Sequence, residues 1–299
     1  MRNPFKRPMA NDETLGATDK WAWHFAAALL SDKGCVRSLN EDSGRILHMP
    51  EVVGAAGKGL LGVVADGMGG HQAGDTASQL TVEVICRAYC DEKGQPAERL
   101  QNALVAANRA VYDLASGDAR LAGMGTTCTA LALYDGLAYM AHVGDSRLYL
   151  IRGGEIYQMT EDHSHVMEMV RQGLITAEQA REHADRNVLY RALGRRAEVE
   201  ISCWAEGQPL RDGDRYLLCS DGLSGVLADK TIAQMASQGD PATACASLIE
   251  LTLQAGAPDN VTVGIISVSE REEENADLRS TREFNTVTSK SNGIEAHLR

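Results

Sequence analysis

Residues 60–66, Leu-Leu-Gly-Val-Val-Ala-Asp, constrain this chain more than any other stretch. The short apolar run, with two adjacent valines, predicts a buried strand instead of a helix. It stops on a carboxylate, Asp66, and Gly67, Gly69 and Gly70 follow with only Met68 between them. A carboxylate at the end of a buried strand is costly unless it is paired or bound to a cation. Glycines there let the backbone turn sharply and let a ligand come close. Taken alone, the stretch is equally a metal ligand on a rigid strand and a strand-to-helix turn with a capping Asp.

Composition narrows the classes. The 299 residues suffice for one large domain or two small ones, and 44% hydrophobic content can fill a normal core. A net charge of −12 argues against broad binding to nucleic acid or anionic membranes. It fits a soluble protein whose acids include cation ligands. No apolar run approaches the roughly 18 to 20 residues that span a bilayer. Arg2, Lys6 and Arg7 are not followed by the apolar region of a signal peptide. The seven cysteines are scattered and form no CxxC pair, which predicts neither a zinc site nor a disulfide framework, and a reducing cytoplasm.

Along the chain, residues 1–20 read as a flexible leader, 21–269 as the folded domain and 270–299 as a disordered tail, acidic and then rich in Ser and Thr. Strands are expected at about 24–31, 59–66, 126–134, up to 143, 148–151, 199–204, 214–220 and 261–268. The three consecutive strands from 126 to 151 read as an antiparallel meander. Helices are expected at 71–90, 96–116, 166–172, 177–183, 229–237 and 241–254. If residues 35–42 are extended, Arg37, Leu39 and Glu41 share one face, whose plainest reading is a surface ion pair. Residues 160–195 read as a mobile polar flap. His163, His165 and His183 lie in it, without the spacing of a zinc site.

Four acids share a context. Asp66, Asp145 and Asp221 follow strands, and Asp259 sits in a turn just before one. Sheets bring such strand ends together, and carboxylate oxygens suit Mg2+ or Mn2+, not zinc.

With these acids go the segments Arg37-Ser-Leu-Asn-Glu-Asp42, Ala65-Asp-Gly-Met-Gly-Gly-His71, Gly123-Met-Gly-Thr-Thr127, Gly144-Asp-Ser-Arg147, Leu218-Cys-Ser-Asp-Gly222 and Pro258-Asp-Asn260. In this order they resemble the metal-dependent protein phosphatases of type 2C, the PPM family, most of all its compact bacterial branch. The resemblance covers about residues 24–268. It implies an α+β fold, a four-layer α-β-β-α sandwich of two antiparallel sheets flanked by helix pairs. It also implies hydrolysis of phosphoserine and phosphothreonine in proteins by a hydroxide bridging two Mn2+ or Mg2+ ions. By resemblance, Asp66 bridges the two metals, the Gly67 carbonyl binds one, and Asp221 and Asp259 complete the other site. Glu41 and Asp42, with Asn260 beside them, order the outer shell, and Arg37 holds the substrate phosphate. Asp145 holds a third metal, with Asn187 a weaker candidate there. Met68 stands where many relatives carry a proton-donating His, which leaves His71 or a water for that task. The implied partners are phosphorylated proteins and a cognate Ser/Thr kinase. The implied form is a cytoplasmic monomer that binds no nucleic acid and no membrane.

Other chemistries fit worse. None of the cysteines has Arg six positions later, as a cysteine-nucleophile phosphatase requires. Asp212-Gly-Asp214 lacks the Thr of an aspartyl-phosphate motif and reads as a solvent turn. The alternative from another class is a catalytically weak, phosphopeptide-binding regulatory relative. Retention of Asp66, Asp221 and Asp259 speaks against it. A third reading, metal-dependent hydrolysis of a small phosphoester, is separated from the first by comparing phosphopeptides with phosphosugars and nucleotides.

Overall fold

The computed structural model describes residues 23–49, 59–69 and 73–270. The expected leader at 1–20, nearly all of the expected tail and His71 lie outside the described residues. β1 (Trp23–Asp32) and β2 (Asp42–Met49) come first, then β3 (Gly59–Met68), which holds the apolar run ending on Asp66. Helices α1 (Ala73–Asp91) and α2 (Pro96–Gly117) follow, the second opened by proline in its first turn, where a missing N–H costs nothing. Next come β4 (Gly125–Thr126), β5 (Cys128–Tyr134) and β6 (Leu137–Val143), then the hairpin of β7 (Arg147–Arg152) and β8 (Glu155–Gln158). The flap carries α3 (His165–Arg171) and α4 (Ala177–Glu182). The described residues close with β9 (Ser202–Cys203), β10 (Gln208–Pro209), β11 (Arg215–Cys219), α5 (Asp221–Ser224), α6 (Asp229–Ala236), α7 (Pro241–Gln254) and β12 (Val261–Glu270).

One antiparallel sheet runs β1-β12-β11-β7-β8 and the other β10-β6-β5-β3-β2, with β4 and β9 at the second sheet's margin. Strand alternation sorts the side chains into layers. Leu61 and Val63 of β3 pack under Ile85, Tyr89, Leu100 and Leu104 of α1 and α2. Leu60 and Val64 face the other way, onto Leu148, Leu218 and Ile266 of the opposite sheet. On that sheet's outer face, Tyr149, Leu217 and Ile265 pack against Ile232 of α6 and Leu248 of α7. The result is the four-layer α-β-β-α sandwich.

Three expectations change. Residues 126–151 are no single meander, because β5 and β6 belong to one sheet and β7 and β8 to the other. The chain changes sheets over Gly144-Asp145-Ser146. Residues 33–41 are not a strand and present no alternating face. Asn260 holds them as a turn, donating from Nδ2 to Lys33 and Leu39 carbonyls at 2.9 and 2.8 Å and accepting Glu41 N–H at Oδ1 at 2.8 Å. β2 went unpredicted because Ser43, Gly44, Arg45 and His48 dilute its apolar residues. Pairing with β3 overrides that weak propensity. The strand expected at 199–204 shrinks to β9.

The flap histidines part company. His165 is exposed and His183 half-buried, whereas His163 is buried at the flap's root, 4.8 Å between ring centres from His142 of β6. His163 Nδ1 accepts from Gly144 N–H at 3.1 Å, which leaves Nε2–H for the Ser202 hydroxyl at 3.0 Å. Burial pushes His142 down to about 4. Burial, with His142 and Arg191 nearby, pushes His163 down to about 3. Both are therefore neutral when folded, while the unfolded chain takes up their protons near 6.5. Their contribution is intact above pH 6.5 and is lost as pH falls toward 4, with a slope approaching about 1.4 kcal/mol per pH unit for each. Urea denaturation at pH 7.5 and pH 5 should show a smaller stability loss for His142→Gln than for the unmutated chain. Equal losses would remove His142 from the account.

Candidate active site

Parity along the strands decides where the acids go. Leu60 and Val64 face the space between the sheets, so Asp66, two residues on and near the end of β3, faces the same way. Asp42 opens β2 directly opposite Asp66 in the ladder. In the other sheet, Ser220 lies two residues beyond the inward Leu218 of β11, and Thr262 lies at the start of β12, four before the inward Ile266. Their hydroxyls both donate to Asp42 Oδ2 at 2.7 Å, so one carboxylate ties the two sheets together. Asp221 begins α5 right after Ser220, and Asp259 sits one residue ahead of Asn260. A Cβ on Gly222 would lie 1.9 Å from the Asn260 carbonyl oxygen, so only glycine lets α5 come this close to the start of β12.

Hydroxyls hold Asp66 in place. Its carbonyl accepts from Thr127 N–H and from Thr126 Oγ1, both at 2.8 Å, and its N–H donates to Thr127 Oγ1 at 2.9 Å. Thr127 Oγ1 in turn lies 2.6 Å from Ser146 Oγ, beside Asp145. Arg147 forms a buried two-pronged pair with Asp162, Nε to Oδ1 at 2.9 Å and Nη2 to Oδ2 at 2.6 Å. Arg37, half-exposed, places Nη2 2.7 Å from Asp259 Oδ2 and Nη1 4.0 Å from Glu41 Oε2.

The electrostatics are strained. Burial, with Asp221 and Asp259 nearby, raises Asp42 to about 7. Burial and the charges of Asp42, Asp221, Asp145 and Asp259 hold Asp66 well above the usual carboxylate range. Asp145 is raised likewise by burial and by Asp221 and Asp162, and Asp221 is raised by burial and Asp259. Glu41 Oε1, Asp42 Oδ1 and Asp221 Oδ1 are buried without a hydrogen-bond partner. Among the described residues, no three carboxylate, His or Cys side chains already converge on one point at ligand distance. Unscreened carboxylates repel one another, and Arg37 engages Asp259. Crowded oxygens with partnerless lone pairs nonetheless fit a hard divalent cation such as Mg2+ or Mn2+, which would relieve both the burial and the repulsion.

The fold thus brings together Arg37, Glu41, Asp42, Asp66, Asp221, Asp259 and Asn260. Gly67 continues β3 opposite Thr126, Asp145 is 9% exposed at the crossing between sheets, and Asn187 shares a cavity with Asp145 and Asp221. Sequence reasoning passed over Thr126, Thr127, Ser146 and Ser220 as holders of the acids, although they lie inside the motifs that flagged the site. Thr262 carried one signal, a hydroxyl at an inward position of an apolar strand. Asp162 carried none.

Buried carboxylates crowded at one end of a β-sandwich make a site suited to hard divalent cations. The chain belongs to the protein phosphatase 2C family, whose model matches residues 39–255. It is 41% identical over 243 residues to the serine/threonine protein phosphatase PstP of Mycobacterium tuberculosis, covering 81% of this chain and 44% of that protein. It is 34% identical over 252 residues to protein phosphatase PhpP of Streptococcus pneumoniae, covering 83% of this chain and 99% of the relative. The crystal structure of the PstP catalytic domain with two manganese ions superposes with a TM-score of 0.70 at 39% identity, covering 83% of this chain and all of that one. The chain therefore spans less than half the length of the mycobacterial relative.

Asn260 joins the turn carrying Arg37 and Glu41 to the strand that follows Asp259. Asn260→Ala removes three hydrogen bonds and leaves the Glu41 N–H without its acceptor, and should cost about 1–3 kcal/mol. Urea unfolding measures this. Hydrogen exchange should quicken at Glu41 while β5 stays protected, and unchanged exchange there would refute the clamp.

Proposed function

We propose that this chain is a metal-dependent protein phosphatase that hydrolyses phosphoserine and phosphothreonine in other proteins. The observation that carries this is the set of buried, partnerless carboxylate oxygens on the motif residues Glu41, Asp42 and Asp221. The names of the relatives, and the nearly full-length match to PhpP, support it. Asp66 would serve two Mn2+ or Mg2+ ions, the Gly67 carbonyl one of them, and Asp221 and Asp259 the other. Asp145 would hold a third, with Asn187 as a weaker contributor. Bound there, the cations activate water and offset charge on the phosphoryl oxygens.

The remaining roles fall to the chain. Arg37 is exposed enough to leave Asp259 and grip the substrate phosphate with paired N–H donors. Glu41 and Asp42 orient water around the ions. Attack on phosphorus breaks the P–O ester bond, and the departing serine or threonine oxygen takes a proton. Met68 cannot supply it; of the two remaining sources, His71 and a water, His71 is the proposed donor. The domain spans 21–269, with residues 160–195 as its flap. The chain acts as a cytoplasmic monomer opposite a Ser/Thr kinase. Its seven unpaired cysteines accord with that compartment. Among the described residues, no helix is long and apolar enough to cross a membrane.

Chelation should abolish phosphopeptide hydrolysis, and added Mn2+ or Mg2+ should restore it. Asp66→Asn should lower kcat/KM by at least about a hundredfold, beyond what partners outside the metal's own ligands are worth. Near-normal turnover in either case would sink the reading.

Proton donation is tested by the leaving group. His71→Ala should slow phosphothreonine peptides on the order of a hundredfold or more, yet leave para-nitrophenyl phosphate nearly unaffected, because nitrophenolate departs without a proton. Equal losses on both substrates would assign His71 elsewhere.

A further inference from the structure

A cavity of about 280 Å3 lies between α3, α4 and α5 and meets the site at Asp145 and Asp221. None of the roles above uses its outer part. Val166, Met167, Ala177 and Ala180 make one wall apolar, while Arg181 and Arg186 stand at the rim, both exposed. Arg181 has the charge of Glu178 beside it, one turn back on α4. Among the described residues, the Arg186 guanidinium has no carboxylate partner. Deeper in, Arg147 already neutralises Asp162, so the inner wall presents a paired charge.

Size and placement limit what can enter. The volume is close to the low end for ligand pockets and ample for one large side chain. The cavity borders the acid cluster at Asp145 and Asp221, so a chain attached to a phosphate bound between Arg37 and the acids would have a path toward α3 and α4. A small phosphoester would end before reaching the apolar wall, whereas a polypeptide would not. Apolar lining selects an apolar side chain through burial, and the unpaired Arg186 guanidinium, with Arg181 beside Glu178 on the same rim, selects a carboxylate.

Resting on the phosphatase reading, we propose that this cavity is a specificity pocket. It seats an apolar side chain close in sequence to the phosphorylated residue, while Arg181 and Arg186 take an acidic residue beyond it. The preferred substrates are thus phosphoproteins whose phosphosite has a Leu- or Met-like neighbour followed by Asp or Glu.

The test uses the full chain with Mn2+, para-nitrophenyl phosphate, and phosphothreonine peptides carrying Leu, Gly, Glu or Lys in turn at each of three positions on either side. Leu should exceed Gly in kcat/KM by about tenfold at one position, the size expected from burying roughly half of a leucine side chain. At a further position Glu should exceed Lys. Met167→Gln, half-buried on α3, should bring the Leu-to-Gly ratio close to one. Arg186→Glu, on an exposed segment, should reverse the Glu-to-Lys ratio. Hydrolysis of para-nitrophenyl phosphate with a flat peptide profile, or ratios unmoved by both variants, would overturn the pocket and leave the phosphatase reading standing. A chain inactive on every one of these substrates would overturn both.

Discussion

Mutual repulsion among buried carboxylates is the constraint that organises this protein. Asp42, Asp66, Asp145 and Asp221 are crowded at one end of the sandwich, where burial and neighbouring charge both disfavour ionisation. Left free, such groups would move apart or take up protons. Here the backbone denies them the first option. Asp42 and Asp66 lie near strand ends, Asp145 in the short crossing between β6 and β7, and Asp221 at the start of a helix, all on elements fixed by apolar packing. The layers between Leu60, Leu218 and Ile266 supply the stability that the acidic end consumes.

Holding the acids is the work of short neutral side chains. Ser220 and Thr262 share one oxygen of Asp42, and Thr126 and Thr127 surround the backbone of Asp66. Asn260 ties the turn carrying Arg37 to the strand beyond Asp259. Hydroxyls and amides stabilise a carboxylate's position without cancelling its charge, so it stays available to a cation. Arginine would neutralise it. The buried Arg147 sits accordingly on Asp162, beside the cluster and outside it.

The flap is built by different means. α3 is capped by the Ser164 hydroxyl, and α4 by a reciprocal Thr176–Gln179 capping box. With only Val166 and Ala180 buried, these two short helices depend on local capping and on His163, which packs against His142 and Tyr190.

Much was legible in the sequence. The run ending on Asp66, the turn residues after Tyr134 and the proline opening α2 each act within a few residues, so their patterns survive without tertiary context. The acids themselves stood out because a carboxylate ending an apolar strand is anomalous wherever it occurs. Legibility failed where distant segments decide. β2 forms because β3 offers it a ladder, and the 33–41 turn forms because Asn260, more than two hundred residues away, satisfies its carbonyls. The passage of the chain between sheets at Asp145 left no local trace, since a hairpin and a crossover begin with the same glycine-rich bend. Strand parity and acid placement were thus set by local sequence. Which acids face one another, and which hydroxyls hold them, was settled only when the two sheets packed, because those bonds join residues that no local pattern connects.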